Sequence, residues 1–208
     1  MKRLGWLVLI ATFVALTASA QGSAGTQNSI TSMLKQQVVL YGKVQVMAAE
    51  LMPADKYSYK PTPDVRSFGE LTLHIAMFNN EMCARLTTAA PPNTSGLKGS
   101  TSKEELVTAL KVSFDYCTKA IGALDDSTLG QPAGGRFFGD LDLTRGTTLL
   151  ILGEDWYVHY GTQALYLRLN GILPPSGLIM SASGFFYFRG RLGGDMPPSA
   201  SGPTTSSH

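Results

Sequence analysis

The 208-residue sequence has little charge, 15% of residues, and no real excess of either sign. Its formal net charge is +2, but Lys2 and Arg3 stand within the first three positions; without residues 1–20, 15 basic side chains face 15 acidic ones. No Lys/Arg stripe is present, so the electrostatic footprint needed to grip a phosphate backbone is missing and nucleic acid is not expected as a partner. A Walker loop and a GxGxxG are also absent, which removes the usual signals of a nucleotide cofactor. No Gly-x-Ser-x-Gly supports Ser/His/Asp catalysis. Long hydrophobic runs are lacking too: the apolar stretch Leu4 to Leu16 is shorter than the ~20 residues that span a bilayer, and no other segment could span. With 44% hydrophobic residues, the chain can still build the core of one soluble domain of ordinary size.

The first twenty residues read as a leader. Met1-Lys2-Arg3 gives a positive start, Leu4 to Leu16 an apolar stretch, and Ala18-Ser19-Ala20 the small residues that signal peptidase accepts, with cleavage expected before Gln21. The rival reading is an uncleaved membrane anchor. No Cys follows the small residues, which disfavours a lipid anchor and leaves an exported protein, periplasmic or extracellular, free of the membrane after cleavage. Export bears on Cys83 and Cys117, the only cysteines. In an oxidising compartment an even pair usually forms a bridge. Two buried, unpaired thiols are the alternative; a catalytic thiol comes third, because no His lies near either and the spacing makes no CxxC.

Residues 21–29 read as a flexible, polar lead-in. From Ile30, Leu34, Tyr41, Val44, Ala48 and Leu51 recur at helical spacing until Pro53 stops the run. Residues 53–63, with three prolines around Tyr57 and Tyr59, read as an ordered, extended loop. Ser67 with Glu70 has the capping-box pattern and opens a second helix, carrying Leu71, Ile75, Phe78 and Met82 on one stripe to about Leu86. After a Pro/Gly-rich connection, Ser102 with Glu105 repeats the pattern ahead of Leu106, Leu110, Phe114, Cys117, Ile121 and Leu124. Residues 125–143 form a Gly-rich link in which Arg136, Phe137 and Phe138 either make a short strand or pack on the helices. A fourth helix is expected from near Thr144 to Asn170, stopped by Gly171 and Pro174-Pro175. Four amphipathic helices without a repeat predict an all-α four-helix bundle over residues 30–176, with loops long enough for crossover connections. Residues 177–208 lose charge and gain Gly, Ser and Pro, which predicts a disordered tail; docking of Phe185 to Phe188 is the alternative.

Histidine is scarce: His74, His159 and the terminal His208. His74 shares the inward side of the second helix with Leu71 and Phe78. Asp155 and His159 are four residues apart on the fourth helix and project from one face with Leu152 and Tyr166. A carboxylate and an imidazole facing a second imidazole are three donors of kinds that bind Zn, Ni, Fe or Mn, with positions left for water. The plainer reading is a hydrogen-bonded core histidine beside an i, i+4 ion pair. Glu81 and Glu154 read as exposed charges, with a supporting or basic role as the lesser alternative, and Arg168 as a favourable partner of the helix dipole.

The stretch from Lys56 to Leu71, followed by Leu73-His74-Ile75-Ala76, resembles the DinB-like (DinB/YfiT) superfamily, here in an exported subgroup. So does His159-Tyr160-Gly161 followed by Leu165 to Pro175, and the resemblance covers about residues 30–176 in order. It implies a four-helix bundle holding a divalent metal with three histidines, one on the second helix and two at H-x-x-x-H on the last. His74 matches the first of these and His159 the last; the middle position is Asp155. The Gln or Asn that often follows His-x-Gly is Thr162 here, with Gln163 one place later. Asp is a competent ligand, and two His plus one carboxylate resemble the facial set of non-haem iron proteins, with preference moved toward harder ions.

The resemblance further implies a metal-dependent transferase or hydrolase that activates a thiol or water on a small-molecule substrate. The rival is a non-catalytic binding or structural bundle of the cell envelope with a degenerate metal site. A third reading, a binder of small apolar molecules, would need an apolar cavity without converging donors. A homodimer is carried as an expectation.

Overall fold

The computed structural model describes residues 29–177, apart from 138 and 140. The expected leader, most of the lead-in and the tail beyond Gly177 lie outside the described residues. Helix α1 spans Ile30–Leu51, α2 Phe68–Ala84, α3 Lys103–Gly122 and α4 Arg145–Leu169; a hairpin of β1, Pro132–Phe137, and β2, Leu141–Thr144, precedes α4. Among the described residues, no helix is long and apolar enough to cross a membrane.

Each helix starts where a side chain can take up the free amides of its first turn. Ser29 accepts from Ser32 N at the start of α1. Asp126, just beyond α3, adds a long-range cap by accepting from Thr31 N at 2.9 Å, Thr31 Oγ1 at 2.7 Å and Ile30 N at 3.2 Å. Ser67 and Glu70 close a full capping box on α2. Ser102 caps α3, but the expected reciprocal bond is replaced: the Ser102 hydroxyl donates to the Glu105 carboxylate at 2.7 Å. Thr144 and Thr147 close a box on α4, and Gly171, at φ +73°, takes the left-handed turn that ends it.

Leu34, Val44 and Ala48 of α1 are buried as the spacing predicts, with Val38 and Gln45 beside them. Leu51 corrects the expected stripe: it is 36% exposed, because the last turn rotates it outward and Met52 enters the core in its place. All six stripe residues from Leu106 to Leu124 are buried.

The segment after Pro53 is ordered but not extended. It makes a one-turn 3-10 helix at Ala54–Lys56, which turns Tyr57 inward to donate to Ala49 O at 2.6 Å. Carbonyls of Tyr59 and Tyr57 then accept from Phe68 N and Gly69 N, supplying more of the free amides of α2. Gly69 is required there, since a Cβ would stand 2.2 Å from Gly99 O. The open choice at Arg136-Phe137 resolves as a strand: Phe137 pairs with Leu141 and Arg136 with Asp142, with Phe138 outside the described residues. Gly134 and Gly135 bend β1 through positive φ, and Gly134 O accepts from Arg85 Nη1 at 2.6 Å, tying the hairpin to the end of α2.

Helices α1 and α2 sit at opposite corners of the bundle, each packed on both α3 and α4. Lys35 Nζ of α1 reaches Leu124 O after α3, and Glu50 near the end of α1 meets Lys103 and Lys111 near the start of α3, so these two run antiparallel. Asn79 with Ser113 and Cys83 with Cys117 set α2 and α3 parallel. His74 with His159 and Phe68 with Tyr166 set α2 and α4 antiparallel. The order is therefore up–down–down–up, and the connection from α2 to α3 must return along the bundle. Asn80 Nδ2 and Tyr116 Oη hold that return at Pro92 O and Ala89 O.

Cys83 and Cys117 form a disulfide between the parallel pair, Cα atoms 5.3 Å apart. Replacing both with Ala should cost about 3–4 kcal/mol by chain entropy, read by denaturant unfolding. Asp126→Ala should lower the melting temperature at neutral pH. Hydrogen bonds from Thr31 hold the Asp126 carboxyl below its ordinary value of 3.8. Its stabilisation is thus present above that value and lost as pH falls through the lowered one, so melts of wild type and variant should converge once the pH has fallen below it.

Candidate metal centre

The antiparallel α2/α4 seam brings together the three side chains that the spacing singles out. His159 Nε2 lies 3.0 Å from Asp155 Oδ1, and His74 Nε2 lies 3.9 Å from the same oxygen. The two imidazole centroids are 4.8 Å apart with perpendicular planes. One nitrogen from each His and one carboxylate oxygen all fall within 4.8 Å of one another. Bonds of about 2.1 Å to a common ion place donors roughly 3.0–3.4 Å apart, so the Asp155–His159 pair is already at that spacing and His74 would close in by about 1 Å.

Burial favours the ligand forms. The side chains of Asp155 and His159 are 12% and 14% exposed, while His74 at 28% leaves one side open to solvent. Burial first, then the positive charge of Arg66 and the neighbouring His159, push the His74 imidazole below its usual pKa, against the smaller opposing pull of Asp155. A neutral imidazole has a lone pair to give.

The ion-pair reading accounts for one carboxylate oxygen but not the other. Asp155 Oδ1 serves both histidines, whereas Asp155 Oδ2 is buried without a hydrogen-bond partner. A buried carboxylate oxygen is costly to leave unpaired, and a cation at the common point would supply the missing charge. The donor set fits a divalent ion with open positions, in which His74, Asp155 and His159 would be the ligands.

The rotation of α4 that aims Asp155 and His159 at α2 is set from the core. Trp156, fully buried, donates from Nε1 to Asn79 Oδ1 at 2.6 Å, and Asn79 Nδ2 donates to Ser113. Gln45 Nε2 donates to Trp156 O at 2.8 Å, and Tyr41 and Phe114 pack on the indole. On the open side, the Phe78 ring lies 6.0 Å from His74, and Phe137 of the hairpin meets Phe78 edge-on at 6.4 Å. Sequence reasoning passed over Asn79 and left Phe137 undecided. A polar residue on the inward face of α2 was the available signal for the first.

Glu154 is exposed, Glu81 is 64% exposed and pairs with Arg85, and neither belongs to the cluster. Arg168 is exposed in the last turn of α4. Thr162 bonds back to Val158 O, while Gln163 is fully buried with both amide atoms unpartnered.

Residues 43–162, more than half the chain and all three site residues, match the family model of the DinB superfamily. Two solved structures share the fold: a conserved protein from Enterococcus faecalis, 16% identical at a TM-score of 0.54, covering 67% of this chain and 95% of that one. The other is a DinB-like protein, YjoA, from Bacillus subtilis, 20% identical at a TM-score of 0.52, covering 67% of this chain and 92% of its own. No curated protein matches the chain.

Asn79→Ala should cost about 1–3 kcal/mol, because it strands the buried Trp156 indole N–H. In a chain lacking residues 1–20, Trp156 is the only tryptophan, so near-ultraviolet circular dichroism and indole emission report its release directly.

Proposed function

The chain belongs to the DinB superfamily, and from that membership and the His74–Asp155–His159 cluster we propose that it is an exported metal-binding protein. Its open divalent site serves a transfer or hydrolysis reaction on a small molecule. The observation that carries this reading is the unpartnered, buried Asp155 Oδ2 beside two imidazoles. The disulfide and the apolar leader support export, since bridges persist in oxidising compartments.

A divalent ion held at such a site lowers the pKa of a bound water or thiol toward neutrality and so yields a nucleophile at physiological pH. This chain's residues set the conditions for that chemistry. Asp155 offsets one positive charge and tilts preference toward harder ions than a three-histidine set would choose. Phe78 and Phe137 make one wall apolar, suited to the carbon skeleton of a substrate. The exposed edge of His74 leaves a path from solvent. Both cysteines are consumed in the bridge, so a reacting thiol would have to arrive with the substrate. Reduced thiols are scarce outside the cytosol, which favours water as the nucleophile.

The test is metal uptake by the mature protein, stripped with chelator and titrated separately with Zn, Ni, Mn and Fe(II). About one ion per chain is expected. Loss of an outer partner of a metal ligand costs ~10–100-fold in affinity, so His159→Ala and His74→Ala should each lose more than that. Failure to take up any of the four ions would leave the Asp155–His159 contact as an ion pair and the protein as a non-catalytic bundle of the envelope.

A further inference from the structure

Arg66 stands at the end of the α2/α4 seam, and its main chain is fixed there. It immediately precedes Ser67, the cap of α2, and its carbonyl accepts from the Tyr166 hydroxyl at 2.9 Å. Tyr166 lies two turns of α4 beyond His159 and so on the same side of that helix. The rings of Phe68 and Tyr166 pack beside this bond, 6.4 Å apart. From Arg66 to His74 is about 12 Å at helical rise. The Arg66 side chain is exposed, and its positive charge acts on both the Tyr166 hydroxyl and the His74 imidazole, so the guanidinium lies over the seam rather than away from it.

Among the described residues, no carboxylate or carbonyl accepts from that guanidinium. The other charges of this corner are already paired: Lys60 meets Glu70 at 3.0 Å, and Asp155 is engaged with the two histidines. With a divalent ion between His74, Asp155 and His159, the single carboxylate leaves one positive charge in excess, and Arg66 adds another at the mouth. Like charges facing one solvent-open gap repel, and an anion seated between them removes that cost.

The chemistry of the anion follows from the donors within reach. A phosphate favours a cradle of backbone amides, and the first amides of α2 are all taken. Ser67 N donates to the Glu70 carboxylate, Phe68 N to Tyr59 O, Gly69 N to Tyr57 O and Glu70 N to Ser67 Oγ. What remains is one planar fork of N–H donors, the match of a carboxylate. On the other side of His74, Phe78 and Phe137 form an apolar wall.

We propose that Arg66 binds the carboxylate of a small organic acid whose reacting group lies at the metal centre and whose apolar end reaches Phe78 and Phe137. This rests on the metal-binding reading above and narrows its substrate to carboxylate-bearing molecules.

The test uses the mature protein loaded with Zn and calorimetric titration with the monohydroxamates of succinic, glutaric and adipic acid. Each is compared with its neutral analogue, in which the free carboxylate is a carboxamide. The hydroxamate end takes the metal and the other end probes Arg66. At the best chain length the acid should bind at least ~10-fold tighter than the amide. Arg66→Gln should abolish that margin while Zn uptake, melting temperature and binding of the amide stay as in wild type, because the tie to Tyr166 runs through the carbonyl. Equal binding of acid and amide at every length, a margin that survives Arg66→Gln, or tighter binding of the matching phosphonate overturns the proposal. Should the chain take up no Zn, the metal reading fails by itself. Hydrocinnamate is then compared with hydrocinnamide on the metal-free protein, and without an Arg66-dependent preference for the acid this proposal falls as well.

Discussion

The rotation of α4 about its own axis is the constraint on which the rest depends, and a buried hydrogen bond holds it. Trp156 fills the core between α1, α2 and α3, and its N–H is satisfied only at Asn79 Oδ1. In an apolar interior that bond cannot be exchanged for water, so any turn of α4 would strand a donor at a cost comparable to a sizeable fraction of domain stability. With Trp156 fixed, Asp155 and His159 must point at α2, where Asn79 and His74 stand on the same helix. One side chain of α2 therefore anchors the partner helix, and another, five residues earlier, meets the groups thus presented.

The helices were legible because their core faces repeat at helical period: every stripe residue from Leu106 to Leu124 is buried. The site was legible for a similar reason, since i, i+4 spacing puts Asp155 and His159 on one face whatever the tertiary structure. What could not be read was non-local. The Asp126 cap on α1 bridges 95 residues to Thr31, and the Asn79–Trp156 bond bridges 77. Neither leaves a local pattern. The loop after Pro53 was misread because proline forbids helix continuation but permits a 3-10 turn, and the pull of burying Tyr57 decided between them. Glu105 shows a limit of motif reading: the capping-box pair is present, but the carboxylate takes the Ser102 hydroxyl instead of its amide.

An aspartate at the middle site position, where the resemblance implies histidine, changes more than one ligand atom. A histidine there would be neutral, and three buried imidazoles could rest unliganded at modest cost. A carboxylate brings a full negative charge into a half-enclosed seam. The two histidines relieve it only through one oxygen, and His74 is held toward its neutral form by burial and Arg66. The unliganded site is thus left short of positive charge, and a divalent cation is the species that corrects the shortfall without rearranging the seam.

Helix α4 serves two environments, which explains why periodicity alone does not distinguish its faces. Asp155 and Tyr157 are two residues apart and so about 200° apart around the axis. One lies in the seam with α2 at 12% exposed, the other on the outer surface at 70%. A helix with apolar residues on every side is normally buried on every side. Here three sides are covered by the chain's own core and by the site, and the fourth is not. Because α1 and α2 occupy opposite corners, the α1/α4 face and the α2/α4 seam cannot overlap.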